Sequence, residues 1–189
     1  MVEVLLETER LVLRRFTMDD ADLLFELYND PDVMFFVNAG QPVSPAEVVS
    51  DLSGFLDWYD RVPEFGFFAA IEKATGRFLG WFHFVPRHGD DGFEAVLGYR
   101  LHRFAWGKGY ATEGSRALVA KGFAELGVDR VAAETMAVHT ASRRVMEKVG
   151  MRLVRTFDAG WPVRIPGDEQ GDVEYVIDRA DWESRRPQG

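Results

Sequence analysis

The stretch that decides the fold spans residues 97–113 and reads LGYRLHRFAWGKGYATE. Its first part is typical of a β-strand, and two glycines, Gly107 and Gly109, then precede a helix that begins near Tyr110. Glycine lets the backbone turn tightly and carries no Cβ to block a close ligand. The first amides of a helix have no partners within it and lie at the positive end of its dipole. This segment therefore predicts a binding site for a phosphate or pyrophosphate, to which Lys108 adds positive charge.

Glycines ahead of a helix occur in several kinds of phosphate-binding site, and their spacing separates these. A P-loop has two glycines five positions apart, followed by lysine and then serine or threonine, whereas Lys108 is followed by Gly109. A dinucleotide-binding fingerprint needs glycine where Thr112 stands, within a repeated parallel βαβ pattern that the sequence does not show. The interpretation that remains is a helix N-terminus that binds the pyrophosphate of coenzyme A.

The rest of the sequence alternates between strand-like and helix-like patterns. Capping boxes at 17–20 and 44–47 predict two helix starts, and Asn29-Asp30-Pro31 predicts the end of the first helix. Further helices are predicted over 110–126 and 141–149, strands over 9–16, 65–72, 77–85, 93–101, 130–138, 151–157 and 172–177, and a loop over 158–171. Helices interleaved with largely antiparallel strands predict one domain of the α+β or mixed α/β class, spanning residues 1–189 with a core at about 8–180.

Composition and charge exclude several classes of protein. The chain has 189 residues, of which 47% are hydrophobic and 28% charged, so general disorder is excluded. The formal net charge of −9 disfavours nucleic acid and anionic membranes as partners and suits a cationic substrate such as an amine. The sequence has no cysteine, which excludes disulfides, zinc–thiolate sites and a cysteine nucleophile. Because it has neither a basic leader nor an apolar run of about 20 residues, we expect a cytoplasmic protein.

The glycine segment also resembles a known motif. Residues 106–113 are similar to the acetyl-CoA-binding motif of the GNAT superfamily of N-acetyltransferases, Arg/Gln-x-x-Gly-x-Gly/Ala, with Trp106, Gly109 and Ala111 at its three defined positions. A tryptophan there, followed by Gly-Lys-Gly-Tyr-Ala-Thr-Glu, resembles the RimJ/RimL-like branch of ribosomal-protein N-terminal acetyltransferases and their relatives. The opening strand, the late helix and the closing strand of that branch are also resembled, in order, by residues 8–14, 141–151 and 172–177.

This resemblance implies a GNAT-like fold, with a central, mostly antiparallel twisted sheet flanked by helices, and acetyl-CoA as cosubstrate. It implies that the strand ending near Leu101 splays from its neighbour and pairs with pantetheine through its main chain. His139 stands where the family usually has an asparagine that touches the cofactor. The residues that the resemblance assigns to the cofactor are Tyr99, Arg100, Leu101, Trp106, Gly107, Lys108, Gly109, Tyr110, Ala111, Thr112, His139 and Ser142.

Two residues are catalytic candidates. Ser142 lies where the family places a hydroxyl near the coenzyme sulfur, although the same serine is compatible with a role at the start of its helix. Glu94 is the best-placed carboxylate for a base, with a solvent-facing role as the alternative, and His83 is a further candidate that suits an ordinary core position equally. His88 and the other histidines are too scattered for a metal site, so no metal is expected.

The acceptor is predicted to lie near the first two helices and the late loop. The candidates for contacting it are Phe35, Trp58 and Trp161, with Phe36 beside them, and each also suits a packing role. Because the chain has no cysteine, the resemblance implies direct acetyl transfer to a primary amine in a ternary complex. The amine must be neutral to attack, which an α-amine with a pKa of about 7.7–8.0 achieves more easily than a lysine side chain near 10.4.

Three functions stay open at this point. The leading hypothesis is transfer of an acetyl group from acetyl-CoA to a protein N-terminal α-amine or a small-molecule amine. A regulatory or interaction module that binds coenzyme A without catalysis is the second. The third is an antibiotic or polyamine acetyltransferase. A homodimer is compatible with the resemblance, since members of the family often form pairs.

Overall fold

The computed structural model describes residues 2–89, 92–160 and 164–185. Its strands are β1 (Val4–Glu7), β2 (Leu11–Arg15), β3 (Gly66–Glu72), β4 (Phe78–Gly89), β5 (Gly92–Leu101), β6 (Arg130–Met136), β7 (Arg152–Phe157) and β8 (Asp172–Asp178). Its helices are α1 (Ala21–Tyr28), α2 (Pro31–Asn38), α3 (Pro45–Arg61), α4 (Tyr110–Ala124), α5 (Thr140–Val149) and α6 (Arg179–Ser184). The strands form one open sheet in the order β1-β2-β3-β4-β5-β6-β8-β7, and helices cover both of its faces.

The two faces of the sheet carry separate cores because side chains alternate along each strand. One face, which we call the α3 face, packs Phe67 and Trp81 against α1, α2 and α3. The other, the α4 face, carries Phe82, Phe84 and Leu97 beneath α4 and α5. Buried faces on both sides explain why the strands of the sequence are rich in aromatic residues.

Helix α4 packs unusually close to the α4 face. Gly114 and Gly122 lie one above the other on the helix, and a Cβ at these positions would approach the ring tips of Phe82 and Phe84 to 2.4 and 2.7 Å. Glycine is therefore required at both positions for the helix to reach the sheet. This packing fixes where the N-terminus of α4 lies relative to β5.

A split between β5 and β6 is the main irregularity of the sheet. The two strands are parallel, the only such pair among the described strands, and they pair only where residues 94–96 meet residues 130–132. Beyond that point, 97–101 of β5 and 133–136 of β6 have no pairing with each other in the described structure. The split exposes main-chain edges of both strands, as the family resemblance predicts.

The structure confirms the predicted fold class and corrects several elements. Asn29-Asp30-Pro31 ends α1 as predicted but also starts α2, because the Asp30 carboxylate accepts hydrogen bonds from two amides of α2 and Pro31 takes its first position. The sequence pattern did not indicate β1, α2 or α6. Strand β4 extends to Gly89, four residues beyond the predicted end. Among the described helices, none is long and apolar enough to cross a membrane.

Candidate active site

The loop before α4 presents a row of free main-chain donors. Gly107 and Gly109 have φ of 71° and 85°, the left-handed conformation that favours glycine. The first helical hydrogen bond of α4 is donated by the Glu113 amide to the Gly109 carbonyl at 2.9 Å. Across the part of the chain that the structure describes, the amides of residues 107–112 have no hydrogen-bond acceptor. Together with the exposed Lys108, this arrangement suits a pyrophosphate.

A set of contacts from the N-terminal strand region holds this loop in place, and the sequence analysis missed them. Arg10 donates to the Lys108 carbonyl at 3.0 Å and to Glu113 Oε2 at 2.6 Å, and its guanidinium lies over the Tyr110 ring. Thr8 donates to Glu113 Oε1 at 2.6 Å. Burial alone would raise the pKa of Glu113, but these hydrogen bonds outweigh it and lower that pKa. Glu113 is therefore an ionised anchor for the loop.

The side chain of Trp106 connects the same loop to the end of β5. Its side chain is 48% exposed, and its Nε1 donates to the Leu101 carbonyl at 2.7 Å. The end of β5 and the loop are thus connected directly. One lone pair of the Leu101 carbonyl is already used by this bond. Main-chain groups alternate along β5, so that those of Arg100 face Trp81 of β4, whereas those of Tyr99 face the split.

Two of the predicted site residues meet on the α4 side of the split. The Tyr99 hydroxyl lies 3.0 Å from Ser142 Oγ and 3.1 Å from the Ser142 carbonyl oxygen. Burial raises the pKa of Tyr99 to about 12, so the phenol is protonated at neutral pH. Ser142 is in the first turn of α5, whose N-cap residue is His139. The pair therefore joins β5 to α5 across the split and can hold or pass a proton.

His139 closes the end of the split nearest α2. Its ring stacks on Phe36, with centroids 3.9 Å apart, and Phe35 packs edge-on against Phe36. Burial lowers the pKa of His139 to about 4, so the imidazole is neutral at pH 7. Because α2 was not predicted, this contact between α2 and the start of α5 was not predicted either.

A cavity of about 440 Å³ lies on the α3 face beside the split. Its walls include Trp58, Phe67 and Trp81, and its polar groups include Asp51 of α3 and Arg100 of β5. Trp58 lines this cavity, and its contact with the acceptor stays a prediction. Phe35 is not part of the cavity wall, because it packs on Phe36, and Trp161 lies outside the described residues.

The structure does not bring the two candidate bases to Tyr99 and Ser142. Glu94 lies at the paired end of β5 and is bonded to Arg87, which also bonds Glu134 and Glu174 at 2.9 and 2.6 Å. At about 3.3 Å per residue, Glu94 is roughly 17 Å along the strand from Tyr99. Glu94 is therefore half-buried in an ion pair away from Tyr99 and Ser142, and its role as a base stays a prediction.

His83 is half-buried on the α3 face of the sheet. Its Nε2 is buried without a hydrogen-bond partner among the described residues, and its ring lies over Gly98, where a Cβ would approach to 2.5 Å. Burial lowers the pKa of His83 to about 4. The described residues contain no group of three side chains that could hold a metal ion.

The sequence matches known acetyltransferases. A family model described as an acetyltransferase (GNAT) domain matches residues 10–152. The chain is 33% identical over 183 residues to the FsC-acetyl coenzyme A-N(2)-transacetylase of Aspergillus fumigatus, a match that covers 94% of this chain and 77% of that protein. It is 35% identical over 156 residues to the uncharacterized protein YkkB of Bacillus subtilis, covering 80% of this chain and 87% of that protein.

Solved structures agree with this match. A GNAT-family acetyltransferase from Bacillus anthracis superposes with a TM-score of 0.75 at 25% identity, covering 95% of this chain and 99% of that one. RimL, a ribosomal L7/L12 alpha-N-protein acetyltransferase in complex with coenzyme A, gives a TM-score of 0.77 at 17% identity, covering 93% and 98%, and so shares the fold. The chain belongs to the GNAT family of acetyltransferases. Within that family it is an acetyl-CoA-dependent N-acetyltransferase.

Proposed function

We propose that this enzyme transfers the acetyl group of acetyl-CoA directly to a primary amine while both substrates are bound. The observation that carries the proposal is the split between β5 and β6. Tyr99 and Arg100 are neighbours on β5, yet Tyr99 bonds Ser142 of α5 while Arg100 lines the cavity beside α3. Cosubstrate and acceptor can therefore approach the split from opposite faces of the sheet. The absence of cysteine from the chain removes a thiol carrier for a two-step route.

The residues on the α4 side suit acetyl-CoA. The free amides of 107–112 and Lys108 would hold the pyrophosphate, and the unpaired edge of β5 at Tyr99 and Leu101 would bind pantetheine in the manner of an added strand. His139 offers one ring nitrogen to the cosubstrate where the family usually has asparagine. When bound, acetyl-CoA supplies an activated thioester. The motif at 106–113 supports a place in the RimJ/RimL-like branch.

Ser142 and Tyr99 are the groups placed to give a proton to the departing sulfur. The tyrosine stays protonated at the pH where an amine reacts. Its hydrogen bond to Ser142 Oγ lets the serine give its proton to the sulfur while the phenol gives its own proton to the serine, and water then returns a proton to the phenolate. Glu94 is bound to Arg87, and the Nε2 atom of His83 is buried. We therefore propose that the acceptor loses its own proton to water, which an α-amine does more readily than a lysine side chain.

An α-amine acceptor is also consistent with the names of two similar proteins, an N(2)-transacetylase and an alpha-N-protein acetyltransferase. The amine is carried by a protein N-terminus or by a small molecule. We propose that residues 1–189 act as a single domain in the cytoplasm, where the absence of cysteine suits a reducing environment. Light scattering on the purified chain distinguishes a monomer from a homodimer.

Calorimetry with acetyl-CoA and an assay of thiol release with amines test the proposal. Gly109→Trp should weaken acetyl-CoA binding at least tenfold, about 1.4 kcal/mol, because the indole would cover the free amides. Gly127→Trp is the matched control: Gly127 also has a positive φ and open space around it, but it follows the other end of α4. Equal affinities in the two variants would refute this placement of the pyrophosphate. Binding of acetyl-CoA without turnover of any amine would favour the regulatory alternative.

A further inference from the structure

Arg100 is a cation in the wall of the cavity that forms no hydrogen bond or close ion pair with any described residue through its side chain. Its guanidinium lies between two aromatic rings, 4.7 Å from the Tyr28 centroid and 4.9 Å from that of Trp81. Within the described residues it has no hydrogen-bond acceptor and no carboxylate within 4 Å. Other arginines of the strands behave differently, since each of the following forms an ion pair with a carboxylate: Arg14, Arg87, Arg130 and Arg155.

An unpaired guanidinium in this position is costly. Burial lowers the pKa of Arg100, which means that the cation has lost much of its hydration. Cation–π attraction to the aromatic rings offsets part of the lost hydration free energy. The rings do not replace the hydrogen bonds that the five N–H donors of the planar guanidinium would make to water. A ligand oxygen anion beside Arg100 would satisfy those donors, and a carboxylate matches the fork in a bidentate manner.

The cavity also contains an opposite charge, Asp51, which attracts Arg100 through space but forms no close ion pair with it. Asp51 projects from α3, and its carboxylate is more than 4 Å from the guanidinium. Among the described residues Asp51 has no hydrogen bond or ion pair, and burial raises its pKa. One wall therefore attracts an anion while the other attracts a cation and repels a second anion. The remaining walls are largely apolar and aromatic.

We propose that the side chain of Arg100 binds a carboxylate of the acceptor, so that the acceptor is an amine that also carries one carboxylate beside an apolar or aromatic group. A free hydrophobic amino acid or a dipeptide has this chemistry. This inference rests on the proposed function, and it selects small carboxylated amines over protein N-termini. It concerns the side chain of Arg100, which faces the α3 side, whereas pantetheine is assigned to the main chain of β5 that faces the split. The cavity volume of about 440 Å³ is within the range of small-molecule sites.

The first test compares L-phenylalanine with L-phenylalaninamide as acceptors, by thiol release from acetyl-CoA. The wild-type protein should prefer the acid by at least tenfold in kcat/KM, although the amide has the less basic amine. Arg100→Gln should lower kcat/KM for the acid by about 10- to 100-fold, the usual effect of a hydrogen bond to a charged group, and so abolish the preference. Arg152→Gln, which removes the same charge from the exposed edge strand β7, should retain it.

The second test uses the wild-type chain alone and needs no turnover. The ligand 3-phenylpropionate carries the carboxylate without an amine, and 3-phenylpropanamide is its neutral control. The propionate should quench tryptophan fluorescence, since Trp58 and Trp81 line the cavity, and it should compete with the acceptor. Equal effects of the two compounds, or equal use of the acid and amide acceptors, overturns the inference and leaves the proposed acetyl transfer intact. Propionate-selective quenching without acetylation of any amine would support the carboxylate site and overturn the proposed function.

Discussion

Helix α4 lies close to the sheet, and this packing positions the loop before α4 that contains Gly107 and Gly109. Gly114→Ala tests the packing directly. The new Cβ would lie 2.4 Å from Phe82 Cζ, which is 1.0 Å less than the 3.4 Å at which ordinary contact begins. Phe82 is 0% exposed, so its ring has no open space into which to move. Inserting a methyl group into such a core costs about 1–3 kcal/mol.

Gly54→Ala is the matched control for this substitution. Gly54 lies within α3, and a Cβ there would meet nothing within 4 Å. Both variants gain the same helix propensity, about 1 kcal/mol, because each replaces glycine inside a helix. The difference between their free energies of unfolding therefore isolates the overpacking cost of about 1–3 kcal/mol, with Gly114→Ala the less stable.

Urea denaturation followed by circular dichroism measures this difference, provided that the m-value is unchanged. Adding Phe82→Leu should reduce the penalty of Gly114→Ala, since the smaller side chain makes room for the methyl group, and a double-mutant cycle gives the size of that coupling. Calorimetry should show weaker acetyl-CoA binding by Gly114→Ala, because displacement of α4 moves its N-terminal amides. If Gly114→Ala is as stable as Gly54→Ala, α4 does not lie on Phe82 as described.

Two further predictions concern titration and catalysis. His83 and His139 have pKa values of about 4 in the folded chain, against an ordinary value of 6.5. Below pH 6.5 the unfolded chain therefore binds more protons than the folded chain, and the free energy of unfolding falls as the pH drops towards 4. At pH 5 each histidine should lower the free energy of unfolding by about 2 kcal/mol. In urea denaturation, His139→Asn should remove about half of this loss of stability. An unchanged pH dependence in that variant would contradict the burial of His139. Ser142→Ala should lower kcat about 100-fold with little change in the Kd of acetyl-CoA, and Tyr99→Phe should lower it less, about tenfold. Full activity of Ser142→Ala in thiol release would exclude its role as proton donor.

Several features could be predicted because their signals lie within a few residues of one another. The capping box of α3 is one, since Ser44 and Glu47 bond each other as predicted. The turn glycines at 107 and 109 are another. Helix α2 was missed although Asp30-Pro31 carries a helix-start signal, because the same residues also end α1.

The candidate site could be predicted in part. Tyr99, Ser142 and Trp58 were identified from their resemblance to a family or from their position in the sequence, and the structure places the first two in contact. The hydrogen bonds from Arg10 to Glu113, which hold the loop before α4, were not predicted. The two residues lie 103 positions apart, and nothing in the local pattern connects them. The ion pair of Glu94 was not predicted either, since its partner Arg87 becomes its neighbour only when β4 pairs with β5.

By itself, the amino-acid sequence determined the order of most elements, the positive-φ turn before α4 and the free amides that follow it, because these depend on local backbone preferences. Only the tertiary structure decided which polar side chains find partners and which do not. The split of β5 from β6, the Tyr99–Ser142 contact and the unpaired Arg100 result from how strands and helices pack over long sequence distances. A residue's charge is local, whereas its desolvation and its partner depend on the whole fold.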